Sequence, residues 1–133
     1  LLGAKDIENL KTYEAMKVYK ALYWDRLFLD KINDSQIALI IFDNAVNCGP
    51  GTAMKLVNES INKVAPWLAI KNTGRMRPET VFALNSIDRV HFGFHFFKAV
   101  QSRYITIVKQ APPQMVFLNG WINRTYKILE NIL

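Results

Sequence analysis

Cysteine occurs once, at Cys48, so no disulfide can form within these 133 residues and no zinc site can be built from several cysteines. Long hydrophobic runs are missing too. Lys, Arg or Asp interrupts every stretch that approaches the length a bilayer-spanning helix needs. Acidic residues are outnumbered, 11 against 17 Lys and Arg, and the formal charge is +6. There is no Gly- or Ser-rich linker, no internal repeat and no low-complexity tract. Zinc-finger, recognition-helix and RNA-binding signatures are absent, as are Gly-rich phosphate loops and nucleophile elbows. Specific nucleic-acid recognition therefore has no support. No signal peptide is visible, and the chain opens on Leu-Leu-Gly rather than Met, so its first residues are expected not to be the natural N-terminus.

What is present describes one folded domain. Half of the residues are hydrophobic and 21% are charged, which argues against disorder, and the length suffices to bury a core. The positive excess suits an anionic polymer as partner: nucleic acid, acidic lipid or bacterial cell wall. It does not choose among them.

Hydrophobic periodicity reads as helix throughout, and no stretch carries a strand pattern. Leu1 to Lys11 reads as irregular. Thr12 then caps an amphipathic helix over 13–24, with Ala15, Met16, Tyr19, Leu22 and Tyr23 at helical spacing. A connection over 25–34 leads to the central helix, Ser35 to Cys48, expected to start at Ser35 as N-cap and to end at Gly49. Apolar residues cover nearly its whole circumference, so it is expected in the middle of the domain. Pro50 starts a helix that runs to Val64, and Asn72-Thr-Gly74 marks a loop or small hairpin between 67 and 77. Pro78-Glu-Thr80 opens a short helix to Leu84. The longest periodic segment, 86–110, carries Ile87, Val90, Phe94, Phe97, Val100 or Gln101, Tyr104, Ile107 and Val108, and Pro112-Pro113 ends it. A last helix over 115–132 contains Gly120-Trp121, read as a close contact or kink. The fold class is all-α, with about six helices.

Three polar residues interrupt the central helix near its end: Asp43, Asn44 and Asn47. Positions 43 and 47 share a face one turn apart, and such a cluster must be satisfied internally or open onto a cleft. Asp43, read as semi-buried between amides, is the best-placed carboxylate for glycosidic chemistry, which ordinarily needs an acid kept protonated by burial. The competing reading, favoured by the residues alone, is that Asp43 caps a loop or pairs with Arg103 or Arg124. Tyr19, Tyr23, Trp24, Trp67 and Trp121 could stack on sugars or bases, although aromatics at helical spacing more often serve the core. His91 and His95 stand at a two-ligand spacing, but no third ligand lies nearby, so no metal site is expected. Cys48 reads as an inert core residue.

At this point the residues carry a resemblance. The order Glu14-Ala15, Tyr19, Tyr23-Trp24 and Ile41-Phe-Asp-Asn-Ala-Val-Asn-Cys-Gly49 resembles the phage-type N-acetylmuramidases of glycoside hydrolase family 108. Gly74-Arg-Met-Arg-Pro-Glu-Thr80 is similar to the Gly-x-x-Gly-Pro-x-Thr turn of their peptidoglycan-binding part. Arg103-Tyr104 and Phe117-Leu-Asn-Gly-Trp-Ile-Asn-Arg124 complete the match, which spans about Leu10 to Arg124.

The resemblance implies a lysozyme-like helical fold and hydrolysis of the glycan β-1,4 bond of peptidoglycan, without a cofactor. It divides the chain into the end of a catalytic region, 1–28, and a peptidoglycan-binding-type region, 29–133, packed as one unit. It makes Asp43, Asn44, Asn47, Tyr23 and Trp24 candidates for the substrate cleft, and Arg103, Trp121 and Arg124 candidates for peptidoglycan binding. The expected partner is the glycan strand. The expected route is that of a phage-type lysin, made in the bacterial cytoplasm and acting in the periplasm or wall. Two departures matter. The family's catalytic glutamate belongs to a Glu-Gly-Gly-Tyr motif that would precede every matched residue, and no such motif occurs here. Arg77 stands where the family often has Gly. Either the acid lies upstream of Leu1, or it has been lost and the chain is a non-catalytic wall-binding or structural module.

Overall fold

The computed structural model of the protein describes residues 3–133, the side chains of Ala4, Ile7 and Leu10 excepted. Six α-helices account for most of these residues, and no strand occurs among them: α1 (Ala4–Tyr19), α2 (Ser35–Cys48), α3 (Pro50–Val64), α4 (Pro78–Ser86), α5 (Arg89–Gln110) and α6 (Leu118–Ile132). The expected all-α class is observed. None of these helices is long and apolar enough to cross a membrane.

The core lies where α2, α3, α5 and α6 meet. Ile37, Ile40 and Ile41 of α2, Met54, Val57 and Ile61 of α3, Phe92 and Phe96 of α5, and Ile132 of α6 are all within a few per cent of full burial. Each such side chain contributes about 1.5–3 kcal/mol by leaving water. The helix α5 is the common surface, packing on both α6 and α3. Its approach to α6 depends on Gly93, where a methyl group would overlap the side chain of Ile132.

Several boundaries differ from expectation, each for a local reason. The helix α1 starts at Ala4 rather than at residue 13: the Gly3 N–H donates to the Asp6 carboxylate at 3.2 Å, and Thr12 donates its hydroxyl to the Glu8 carbonyl inside the helix instead of capping one. Leu1 and Leu2 lie outside the described residues. After Tyr19 the helix widens into a π-type turn, Lys20–Asp25, spanned by a 2.8 Å ion pair between those two residues. The amphipathic reading of this segment is corrected as well. Tyr13, Met16, Tyr19 and Leu22 are about half exposed or more.

The N-cap of α2 is Asp34, one residue before the expected Ser35, and its carboxylate accepts from the N–H groups of Gln36 and Ile37. Gly49 ends the helix with φ 92°, a conformation that favours glycine, and Pro50 starts α3 at once. The segment between α3 and α4 is a loop without strand pairing. It is pinned to α3 by reciprocal hydrogen bonds between Asn62 and Ile70, and by Asn58 donating to the Thr73 carbonyl at 2.7 Å. In α5 the period is as expected but the phase of its first half is not. Phe92 and Phe96 are buried, whereas Val90 and Phe94 face outward. Gly120 has open space around it, and α6 runs through it unbroken, so neither a close contact nor a kink occurs there.

Candidate functional site

The C-terminal half of α2 supplies the centre of the site. Its i, i+4 geometry lets Asn47 donate to the Asp43 backbone carbonyl at 2.9 Å and lean toward the Asp43 carboxylate at 3.5 Å. The remaining acceptor of Asn47 is taken by a helix far away in sequence: Arg124 Nη1 donates to Asn47 Oδ1 at 2.6 Å. An ordered chain of polar groups thus runs Arg124, Asn47, Asp43 across the α2–α6 seam. Asp43 pairs directly with neither Arg103 nor Arg124. It is also exposed rather than semi-buried, because it lies on the outer face of α2. The same face exposes Leu39, so α2 is buried on one side only.

Asn44 points the other way. It is buried, and the Cys48 thiol donates to its Oδ1 at 3.3 Å. Asn44 is therefore largely buried, and what it still presents lines the same crevice as Asp43 and Asn47. Burial pushes the Cys48 thiol above its ordinary range, with the nearby Arg103 charge opposing, which leaves it protonated and unreactive at neutral pH.

Two aromatic groups flank the polar chain, one open to solvent and one packed into the core. On one side a groove of about 430 Å³ opens between the π-type turn and α2, lined by Tyr19, Lys20, Trp24, Phe42, Asp43 and Val46. Trp24 is held edge-on against Phe42 and donates its indole N–H to the Asp30 carboxylate at 2.7 Å. Tyr23 does not line this groove but stacks on Tyr19, with ring centroids 5.9 Å apart. On the other side, Tyr104 of α5 and Trp121 of α6 stack at 5.2 Å, and Phe117 continues the stack at 5.8 Å from Trp121. Arg103 caps the stack with its guanidinium 5.9 Å from the Tyr104 ring centre. Burial raises the Tyr104 phenol above its ordinary value, with Arg124 and Arg103 opposing. Between the two groups a crevice of about 10 Å³ is lined by Asp43, Asn44, Asn47, Tyr104 and Arg124.

The arrangement sets hydrogen-bonding groups beside the open apolar faces of Tyr19 and Trp24, the combination that holds a sugar by its hydroxyls and its C–H face, while the buried Tyr104 and its stack on Trp121 back the polar chain from the core. Of the residues expected at the site, Asp43, Asn47, Trp24 and Arg124 line the groove or the crevice, whereas Trp121 and Arg103 reach the crevice only through their contacts with Tyr104. Tyr23 supports Tyr19, and Asn44, though buried, lines the crevice beside Asp43 and Asn47. Missed by the sequence were Lys20, Phe42 and Val46, and the stacking of Tyr104 and Phe117 on Trp121. The i, i+4 spacing of Phe42 and Val46 was the available signal. His91 is exposed and His95 half-buried, and among the described residues no cluster of His, Cys, Asp or Glu is arranged to hold a metal.

Comparison with known proteins agrees with the motif reading over part of the chain. The model of the family described as glycosyl hydrolase 108 matches residues 2–49, which include Tyr19, Tyr23-Trp24 and the whole Ile41–Gly49 motif. The resemblance to this family is thereby borne out. The motifs around Arg77, Arg103 and Arg124 lie beyond the matched segment. No curated protein matches the chain. A solved structure described as that of Brucella abortus SagA is 18% identical and superposes with a TM-score of 0.72, covering 98% of this chain and 68% of that chain. The six-helix, lysozyme-like arrangement is thus shared with a protein of low sequence identity.

Proposed function

We propose that this chain forms the glycan-binding groove of a peptidoglycan hydrolase of the N-acetylmuramidase type, acting at the bacterial cell wall on the β-1,4 bond. The observation that carries the reading is the Arg124–Asn47–Asp43 chain set between the Trp24–Tyr19 surface and the Tyr104–Trp121 stack. A glycan strand lying along α2 would place ring hydroxyls against Asn47 and Arg124 and ring faces against the aromatics. Hydrolysis further requires an acid to protonate the glycosidic oxygen. In this reading that acid is the family's Glu-Gly-Gly-Tyr glutamate, upstream of these residues, and the first 28 residues close the catalytic region. Residues 29–133 bind and orient the strand together with the Tyr19 and Trp24 wall contributed by the first 28, while Asp43 positions Asn47.

A second reading, a non-catalytic wall-binding or structural module, is favoured by one specific observation. Among the described residues, Asp43 is the one carboxylate lining the groove, and it is exposed, whereas a general acid is kept protonated by burial. Co-sedimentation with purified sacculi, followed by chromatography of released muropeptides, separates the two. Asn47→Ala and Arg124→Ala are each expected to lower sacculus affinity by about tenfold, the worth of a hydrogen bond to a charged group. Unchanged affinity in both variants would sink the groove assignment. Release of reducing-end muropeptides by the full-length protein would establish the enzyme, and binding without release the module.

A further inference from the structure

A second cluster of chemistry sits away from this groove, around the loop that joins α3 to α4. Arg75 and Arg77 flank Met76, which is buried, so the two guanidinium side chains diverge into separate cavities of about 370 Å³ each. One cavity is lined by Lys31, Arg77, Pro78 and Val81, the other by Arg26, Arg75 and Pro50, and Phe28 and Met76 form the wall common to both. The two ion pairs among the described residues are Lys20–Asp25 and Arg89–Asp34, so none of Arg26, Lys31, Arg75 and Arg77 meets a carboxylate there.

The site is also built rather than incidental. Gly74 lets the loop lie against the backbone of Gly51, where a side chain would come within 3.2 Å of the Gly51 carbonyl oxygen. Asn58 and Asn62 hold the loop from α3. Phe28 is presented outward, 51% exposed, at a left-handed φ of 53° that is strained for a phenylalanine, and the Lys31 ammonium lies 5.3 Å from its ring centre.

We propose that these twin pockets bind a peptide carrying two carboxylates, one in each pocket, with small apolar side chains against Phe28 and Met76. Three of the four cations are arginines, whose planar fork pairs bidentately with carboxylates. The apolar walls favour a peptide over a polyol phosphate, which offers them nothing to bury. The source of the peptide rests on the function proposed above: the peptide stems of the same wall polymer whose glycan occupies the α2 groove. The chain would then hold sugar and stem at two separate places.

The test is titration of the full chain, followed by NMR, with a wall-stem pentapeptide bearing free carboxylates and with the same peptide fully amidated. The free peptide is expected to shift the amides of residues 74–78, the amidated one to leave them in place, and the double variant Arg75→Gln/Arg77→Gln to bind at least about tenfold more weakly. Both arginines are exposed, so the variant is expected to melt like the parent. Arg124→Gln should bind the peptide like the parent, which distinguishes this site from the groove: if Asn47→Ala and Arg124→Ala leave sacculus binding intact while peptide binding stands, the groove reading fails and this one survives. Equal binding of the amidated peptide, indifference to the double variant, or tighter binding of a polyol phosphate or of DNA would overturn the assignment.

Discussion

Asn47 and Cys48 are neighbours in sequence with opposite fates, and the difference is one step of helical rotation. Asn47 turns outward and takes the Arg124 hydrogen bond, while Cys48 turns inward onto Asn44. Its raised pKa, caused first by burial, keeps the thiolate scarce. Reaction of Cys48 with a disulfide reagent at pH 7.5 is therefore expected to be at least about tenfold slower in the native protein than in denaturant. Equal rates would mean that the end of α2 opens readily. The Asp43–Asn47 pairing was legible from the four-residue spacing alone. Its partner Arg124, 77 residues beyond Asn47, was legible only as a member of a motif, because nothing local tells which helix crosses α2.

Among the elements, α2 and α5 are joined at their N-termini by a single carboxylate. Asp34 caps α2 and also accepts a 2.7 Å ion pair from Arg89 of α5. Burial alone would push this carboxyl up, but the Arg89 guanidinium and the N–H groups of Ile37 and Gln36 outweigh it, and its pKa falls below the ordinary 3.8. A carboxylate held lower in the folded state stabilises above its unfolded pKa, and this contribution disappears as the pH drops through the folded value. Asp34→Ala is expected to cost about 1–2 kcal/mol at neutral pH. Asp34→Asn should retain the cap and lose the acid-dependent part, as read from urea melts at pH 7 and pH 3. At the α5–α6 contact, Gly93→Ala should destabilise by about 1–3 kcal/mol through overlap with Ile132, and Ile132→Val should recover part of the loss. A melt unchanged by Gly93→Ala would show that the two helices can separate at little cost. Helix existence was readable from period and from proline, since Pro50, Pro78 and Pro112 all stand at element boundaries. The phase of α5 was not, because Phe92, Phe94, Phe96 and Phe97 offer the core two faces of equal hydrophobicity. Packing against α3 and α6 chose between them.

On the scale of the whole molecule, the charge of +6 makes attraction to an anionic wall dependent on ionic strength. Sacculus binding is expected to weaken steadily as salt rises from about 0.05 to 0.5 M, where the screening length shrinks from roughly 14 to 4 Å. The contribution of Asn47 should persist, since a hydrogen bond formed at contact is screened little. Loss of all binding at the higher salt would assign the interaction to charge alone. The sequence by itself determined the all-α class, the order of six helices and the family resemblance, because period, proline and motif are local properties of a chain. The tertiary structure alone decided that Asp43 is exposed, that Asn44 is buried, that Tyr13, Met16 and Tyr19 of α1 face solvent, and that Arg75 and Arg77 enter separate pockets beside Phe28. Each of these depends on what lies across from a residue in space, and the contacts that settle it join residues far apart along the chain.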